Sequence, residues 1–143
     1  MARMDFATPV SALEDSGKLL LRLAVGVLIL LHGIAKVASG PDWVLGLMAK
    51  YELPAVLGYG VYLGEVVAPL LLIVGLWTRP AALVVAINMV VALALVHTHE
   101  LAQLANTGGW ALELQGMYLF GALAVALLGA GRFSLGGAGG RFN

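Results

Sequence analysis

Residues 19–37 read LLLRLAVGVLILLHGIAKV, and this stretch decides the fold. It is close to the roughly 20 residues that a helix needs to cross a bilayer. Only Arg22, His32 and Lys36 interrupt its apolar run. His32 and Lys36 are four residues apart, which sets them on one face of a helix. Ionisable groups are costly in lipid, so a titratable imidazole and an ammonium one turn apart need a reason to be there.

The rest of the chain repeats the pattern. Apolar runs recur at about Val56–Trp77, Pro80–Val96 and Trp110–Ala130, each close to spanning length. They lack the alternation of barrel strands, and spanning backbone must satisfy its own hydrogen bonds, so the runs predict helices. Hydrophobic residues make up 61% of the 143, and charged residues only 11%. A soluble domain carries roughly a quarter charged residues, and a chain this short cannot hide so much apolar surface from water. The expected class is therefore all-α: an integral membrane four-helix transmembrane bundle forming a single domain over residues 1–143.

Between the first two runs lies GPDWVLGLMAKYELP, bracketed by Pro41 and Pro54. It predicts a short interfacial helix, with Trp43, Leu47, Met48 and Tyr51 on one face and Trp43 and Tyr51 as anchors. The turn TRP between the second and third runs is short enough to force a tight antiparallel hairpin. Residues 1–17 are polar and lack the basic start and apolar core of a cleavable signal; they read as a cytoplasmic lead-in. Residues 132–143 are glycine-rich and read as a flexible tail. With four spans, Arg3, Lys18, Arg22, Arg79, Arg132 and Arg141 share one side, and Lys36 and Lys50 the other. That bias places both termini in the cytoplasm. No basic surplus points to nucleic acid, because eight basic residues balance eight acidic ones. The absence of cysteine excludes thiolate nucleophiles, disulfide exchange and cysteine metal cages.

Depth along the helices brings the polar residues into one layer. At a rise of about 1.5 Å per residue, His32 lies roughly 20 Å from the cytoplasmic end of its span, with Lys36 a turn further out. Glu65 lies near the midplane, and His97, His99, Glu113 and Gln115 fall in the outer half. Asn88 is placed in the cytoplasmic half, as a hydrogen-bond donor between helices. An outward-opening polar pocket follows, with Glu65 and Glu113 as counter-charges. Blander readings stand beside it. Lys36 can snorkel to the interface, His97 and His99 can cap a helix at the water line, and a Glu65 ion pair can simply hold helices together. His97 and His99 at i, i+2 point about 200° apart on a helix, so no metal site is expected. Gly60 and Gly64 suggest that the Gly64–Glu65 turn faces another helix, and Pro69 suggests a kink that frees a carbonyl.

Four pieces of the chain together resemble the DoxX family of small four-span membrane proteins. They are LRLAVGVLILLHGIAKV, with Arg22, His32, Gly33 and Lys36; LPAVLGYGVYLGEVVAPLLLIVGLWTRPAAL, with Glu65; the histidines ending the third run; and the last run, with Glu113 and GAGRFSLGG. Where the family often continues with an aspartate, this chain has Gly136. The resemblance implies a bacterial inner-membrane protein tied to respiratory-type redox work. Relatives include a membrane subunit of thiosulfate:quinone oxidoreductase, partners in oxidative-stress complexes, and helpers of methylamine dehydrogenase maturation.

The expected function is thus a quinone-linked redox protein or the membrane subunit of an oxidoreductase. Glu65, His32 and Lys36 would be the catalytic group, moving protons and stabilising an oxyanion. Glu113, His97, Tyr62 and Trp110 would contact the quinone, and electrons would come from a redox partner. The alternative is a non-catalytic binding, transport or assembly role for the same pocket, holding a lipid, small molecule, metal or partner chain. Transport by four short spans would call for a homo-oligomer.

Overall fold

A computed structural model describes residues 9–143 of the chain, and side-chain burial from Ser11 onward. Five helices carry the architecture: α1 (Pro9–Ser39), α2 (Asp42–Lys50), α3 (Ala55–Val74), α4 (Thr78–Leu95) and α5 (Glu113–Leu128). Three of them, over Ser11–Ser39, Ala55–Val74 and Thr78–Leu95, are long and apolar enough to cross a membrane. The protein is an all-α integral membrane bundle. At 16 residues, α5 is shorter, about 24 Å at the α-helical rise.

Local sequence sets each boundary. Gly40 (φ 82°) ends α1, and Pro41 precedes α2, the short helix expected between the prolines. Within α2 the buried residues are Met48, which belongs to the expected face, and Val44, which does not; Trp43 lies largely exposed. Both buried side chains pack against Gly58 at the start of α3. At the other end of the bundle Gly75 (φ 73°) terminates α3, where Gly75 and Leu76 N–H groups both donate to the Leu71 carbonyl. Trp77 then turns the chain into α4, which carries Pro80 in its first turn, where a missing N–H is tolerated. The end holding the α1–α2 connection is called upper below, and the end holding the α3–α4 turn lower.

The core lies in the lower half of the bundle. Val25 and Ile29 of α1 meet Ala68 and Leu72 of α3, Ala81, Ala82, Val85 and Ala86 of α4, and Ala122 and Val125 of α5. In lipid, apolar burial gives little driving force, so close backbone approach and dispersion hold such a seam. The alanines of α4 and α5 permit that approach.

Both ends carry more structure than their composition suggests. The lead-in is not separate from the first span: residues 9–17 are already helical, as the first turns of α1, while residues 1–8 lie outside the described residues. The glycine-rich tail is placed against the lower end of the bundle. Leu135 and Gly136 N–H groups donate to the carbonyls of Val74 and Gly75, at 3.1 and 2.9 Å. Asn143 is buried, with its Oδ1 accepting from Thr78 Oγ1 at 2.8 Å and its Nδ2 donating to the Gly137 carbonyl at 2.8 Å. Arg132 Nε donates to Asp15 Oδ2 at 2.5 Å, tying the tail to α1. Backbone amides make much of this attachment, which a glycine-rich sequence does not advertise.

Candidate functional site

Glu65 sits where α3 departs from α-helical geometry. Residues Leu63–Val67 form a π turn, in which the Ala68 N–H reaches back to the Leu63 carbonyl. Pro69 follows just after it, at the start of the α-helical segment Ala68–Val74. Its ordinary α-helical acceptor would be the Glu65 carbonyl, which a proline cannot serve. That freed carbonyl lies against Gly33 of α1, where a Cβ would stand 2.0 Å from the Glu65 oxygen. Only a glycine lets the two backbones come so close. Near Pro69 the helix thus forms a π turn whose Glu65 carbonyl is seated in the Gly33 notch. Such turns recur at functional sites.

The Glu65 side chain is almost fully buried, and two helices serve it. Lys36 Nζ, one turn beyond Gly33, pairs with Glu65 Oε2. Asn88 Nδ2 of α4 donates to Oε1 at 3.2 Å. Gly64 is buried directly against Asn88, with a hypothetical Cβ 2.6 Å from its side chain, so the Gly64–Glu65 turn does face another helix. Lys36 keeps 27% side-chain exposure against 6% for Glu65, and thus bridges the buried acid and the open space above it. The placement of Asn88 in the cytoplasmic half is corrected. It is the donor between helices that was expected, but at the level of Glu65 and bonded to it.

Above this floor opens a cleft of about 470 Å³ between α2, the upper half of α3 and the upper half of α4. Lys36, Glu65, Asn88 and His97 are its polar members among apolar walls. Gly60 lines it too, and a Cβ there would meet no atom within 4 Å, so the missing side chain leaves room. Leu57, Leu63, Ile87 and Val91 line the cleft while being 57%, 52%, 62% and 45% exposed. The rim is therefore apolar and faces outward on the bundle surface. α2 roofs the cleft, and Tyr51 just beyond it donates its hydroxyl to the Leu95 carbonyl at 2.6 Å, tying roof to α4.

The expected site residues divide. Glu65, Lys36 and His97 share the cleft. His97 stands at its upper end, with Nδ1 2.6 Å from Glu100 Oε2 and Nε2 3.4 Å from Gln115 Nε2. His32 does not join them. It is exposed, its Nδ1 lies 2.9 Å from the Leu28 carbonyl of its own helix, and its ring meets Tyr118 of α5 edge-on at 5.8 Å. The i, i+4 spacing misleads because the long lysine stem carries its ammonium around toward α3, whereas the short imidazole stays near its own backbone. Tyr62 lies outside the cleft lining, with its hydroxyl 3.5 Å from the Lys36 carbonyl. Trp110 braces the upper loop, donating Nε1–H to the Leu101 carbonyl at 2.9 Å and packing on Gly116. Glu113 is exposed at the start of α5, with its carboxylate beside Gly109, and is not a counter-charge to Lys36. Gly33 is the residue whose role the sequence left unread; the signal was Pro69, four residues beyond Glu65.

Comparison with known proteins agrees with this architecture. The DoxX family model matches residues 17–98, which contain α1 beyond its first turns, α2, α3, α4 and the cleft. A Haemophilus influenzae protein, described only as uncharacterized, is 35% identical over 104 residues, covering 70% of this chain and 76% of the relative. No solved structure gives a significant match.

Proposed function

This chain belongs to the DoxX family, and from that premise we propose that it binds a quinone head group in the α2–α3–α4 cleft, as the membrane subunit of an oxidoreductase. The observation that carries the reading is an apolar-rimmed cleft with a charged, hydrogen-bonding floor. A ligand that lives in the bilayer would enter past Leu57, Leu63, Ile87 and Val91 without crossing water. Its volume lies in the range usual for small-molecule sites.

The residues fit a quinone. Its carbonyl oxygens need donors, and Lys36 has three N–H bonds, of which the Glu65 pair uses one. Asn88 keeps a second amide N–H, and the open space at Gly60 gives a planar ring a place beside α3. A bound quinone supplies two-electron, two-proton redox chemistry. Lys36 would hold a carbonyl oxygen and stabilise negative charge on it. Glu65 Oε2 would give or take a proton through Lys36. His97 and Glu100, both part-exposed, would exchange protons between the cleft and the upper aqueous face. Without cysteine the chain has no thiol carrier, so electrons would arrive from a partner subunit or a soluble donor.

In this reading α5 is the fourth span, completed by the segments at either end. Both termini face the cytoplasm of a bacterial inner membrane, because the lower end holds Lys18, Arg22, Arg79, Arg132 and Arg141. The cleft then opens in the outer half. A second reading rests on one fact: Lys36, Glu65 and Asn88 satisfy one another across three helices. That clamp would serve a purely assembling subunit whose cleft holds a lipid chain.

The test is mass spectrometry of the lipids retained by gently purified protein. Wild type is expected to carry a stoichiometric quinone, and Glu65→Gln and Ala92→Trp, which fills the cleft, to lose it. Protein from quinone-replete membranes that retains none, with lipid chains filling the cleft, would overturn the quinone assignment in favour of the clamp.

A further inference from the structure

The lower end carries a second hollow, of about 170 Å³, lined by Trp77, Gly136, Gly140, Arg141, Phe142 and Asn143 among others. We propose that it binds the phosphate of an anionic phospholipid, held by Arg141 and the backbone amides of the tail, with Trp77 and Phe142 against the glycerol region.

Charge is the first support. Among the described residues the lower end holds Lys18, Arg22, Arg79, Arg132 and Arg141 against Glu14 and Asp15. The upper half holds Lys36 and Lys50 against Asp42, Glu52, Glu65, Glu100 and Glu113. The molecule is therefore strongly polarised along the bundle axis, although its net charge is zero. Asp15 serves only Lys18 and Arg132. Arg22 is fully buried and donates to the Phe133 carbonyl at 2.7 Å, while its Nε and Nη1 find no partner among the described residues. Arg79 donates to the carbonyls of Asn143 and Ala126, and Arg141 stacks on Phe142 at 5.5 Å. Arg22 and Arg141 thus face no carboxylate among the described residues.

The hollow is also preformed. Asn143 bonds Thr78, Ser134 and Gly137, its N–H donates to the Gly140 carbonyl, and Arg79 N–H donates to the Phe142 carbonyl. Holding both ends of the Gly140–Asn143 turn leaves the N–H groups of Gly140, Arg141 and Phe142 with no acceptor among the described residues. Successive free amides beside an arginine suit a phosphate. Trp77, Phe142 and Leu76, which line it, are 63%, 51% and 41% exposed. Exposed aromatic and apolar groups at the end of a bundle belong at the head-group level. A soluble anion would use the donors and leave that apolar rim without a partner, so the lipid is the better fit.

The experiment reconstitutes the full chain in vesicles of equal phosphatidylglycerol and phosphatidylcholine and identifies bound lipid by native mass spectrometry. Wild type is expected to retain phosphatidylglycerol preferentially. Arg141→Gln should lower that enrichment about fivefold, the worth of one basic residue near a membrane surface. Arg141→Lys should keep most of it, and Lys50→Gln at the opposite end should leave it unchanged. Equal retention of the two lipids, or a preference that survives Arg141→Gln, overturns the proposal. Displacement of the phosphatidylglycerol adduct by millimolar inorganic phosphate would assign the hollow to a soluble anion and equally overturn it.

Discussion

Replacing Lys36 by methionine tests the floor of the cleft most directly. The Glu65 side chain is only 6% exposed, and Lys36 is its cationic partner. Removing the cation leaves a carboxylate buried with a single amide bond from Asn88. Breaking a buried pair from one side costs about 3–5 kcal/mol. Glu65→Gln should be milder, at about 1–2 kcal/mol. Its amide oxygen still accepts from Asn88, and Lys36, at 27% exposure, can carry its ammonium outward along its own stem. The double variant Lys36→Met, Glu65→Gln removes both charges and should lie within about 1 kcal/mol of wild type. The cycle then gives a coupling of at least about 3 kcal/mol, at or above the top of the range for contacting pairs. Reversible unfolding by sodium dodecyl sulfate in mixed micelles, followed by circular dichroism, measures all four proteins. Additive single effects, or a Lys36→Met variant within about 1 kcal/mol of wild type, would refute the reading of this pair as a buried, mutually dependent unit.

Three other outcomes follow from the geometry. Gly33→Ala drives a methyl into the Glu65 carbonyl, 2.0 Å away, and should cost at least about 1–3 kcal/mol, read as a fall in midpoint in the same unfolding assay; an unchanged midpoint would contradict the close approach. Asp15→Asn weakens the clasp on Arg132 and should speed trypsin cleavage after Arg132 and Arg141, while cleavage after Lys50 stays unchanged; an unchanged rate after Arg132 would show that the clasp does not hold the tail. Tyr51→Phe deletes the bond to the Leu95 carbonyl, loosening the roof by about 1 kcal/mol, and should raise the dissociation rate of a bound fluorescent quinone analogue; an unaltered rate would show that α2 does not gate the cleft.

The three membrane-length helices and the short helix between the prolines were legible because hydropathy and proline punctuation are local signals. Asn88 was misplaced because its helix was started at Pro80; α4 begins at Thr78, which lifts Asn88 to the level of Glu65. His32 was misread because spacing along a helix ranks faces but ignores side-chain length. The docked tail was illegible for a different reason. Its attachments run through backbone amides and through Asn143, one residue whose partners lie 9 and 65 positions away as well as nearby. Nothing in a glycine-rich string reports such partners.

The π turn over Leu63–Val67 also has a consequence for comparing chains. It holds one residue more than α-helical winding would, so the helical phase jumps by about 100° between the half of α3 that lines the cleft and the half that enters the core. A wheel drawn through the whole span fits one half or the other. A relative lacking a single residue between Pro54 and Pro69 would keep its three membrane-length helices and its lower core, yet present a different set of side chains to the cleft. Spacing between those two prolines, more than identity at any one position, is therefore the character by which related chains should be sorted for the same binding site.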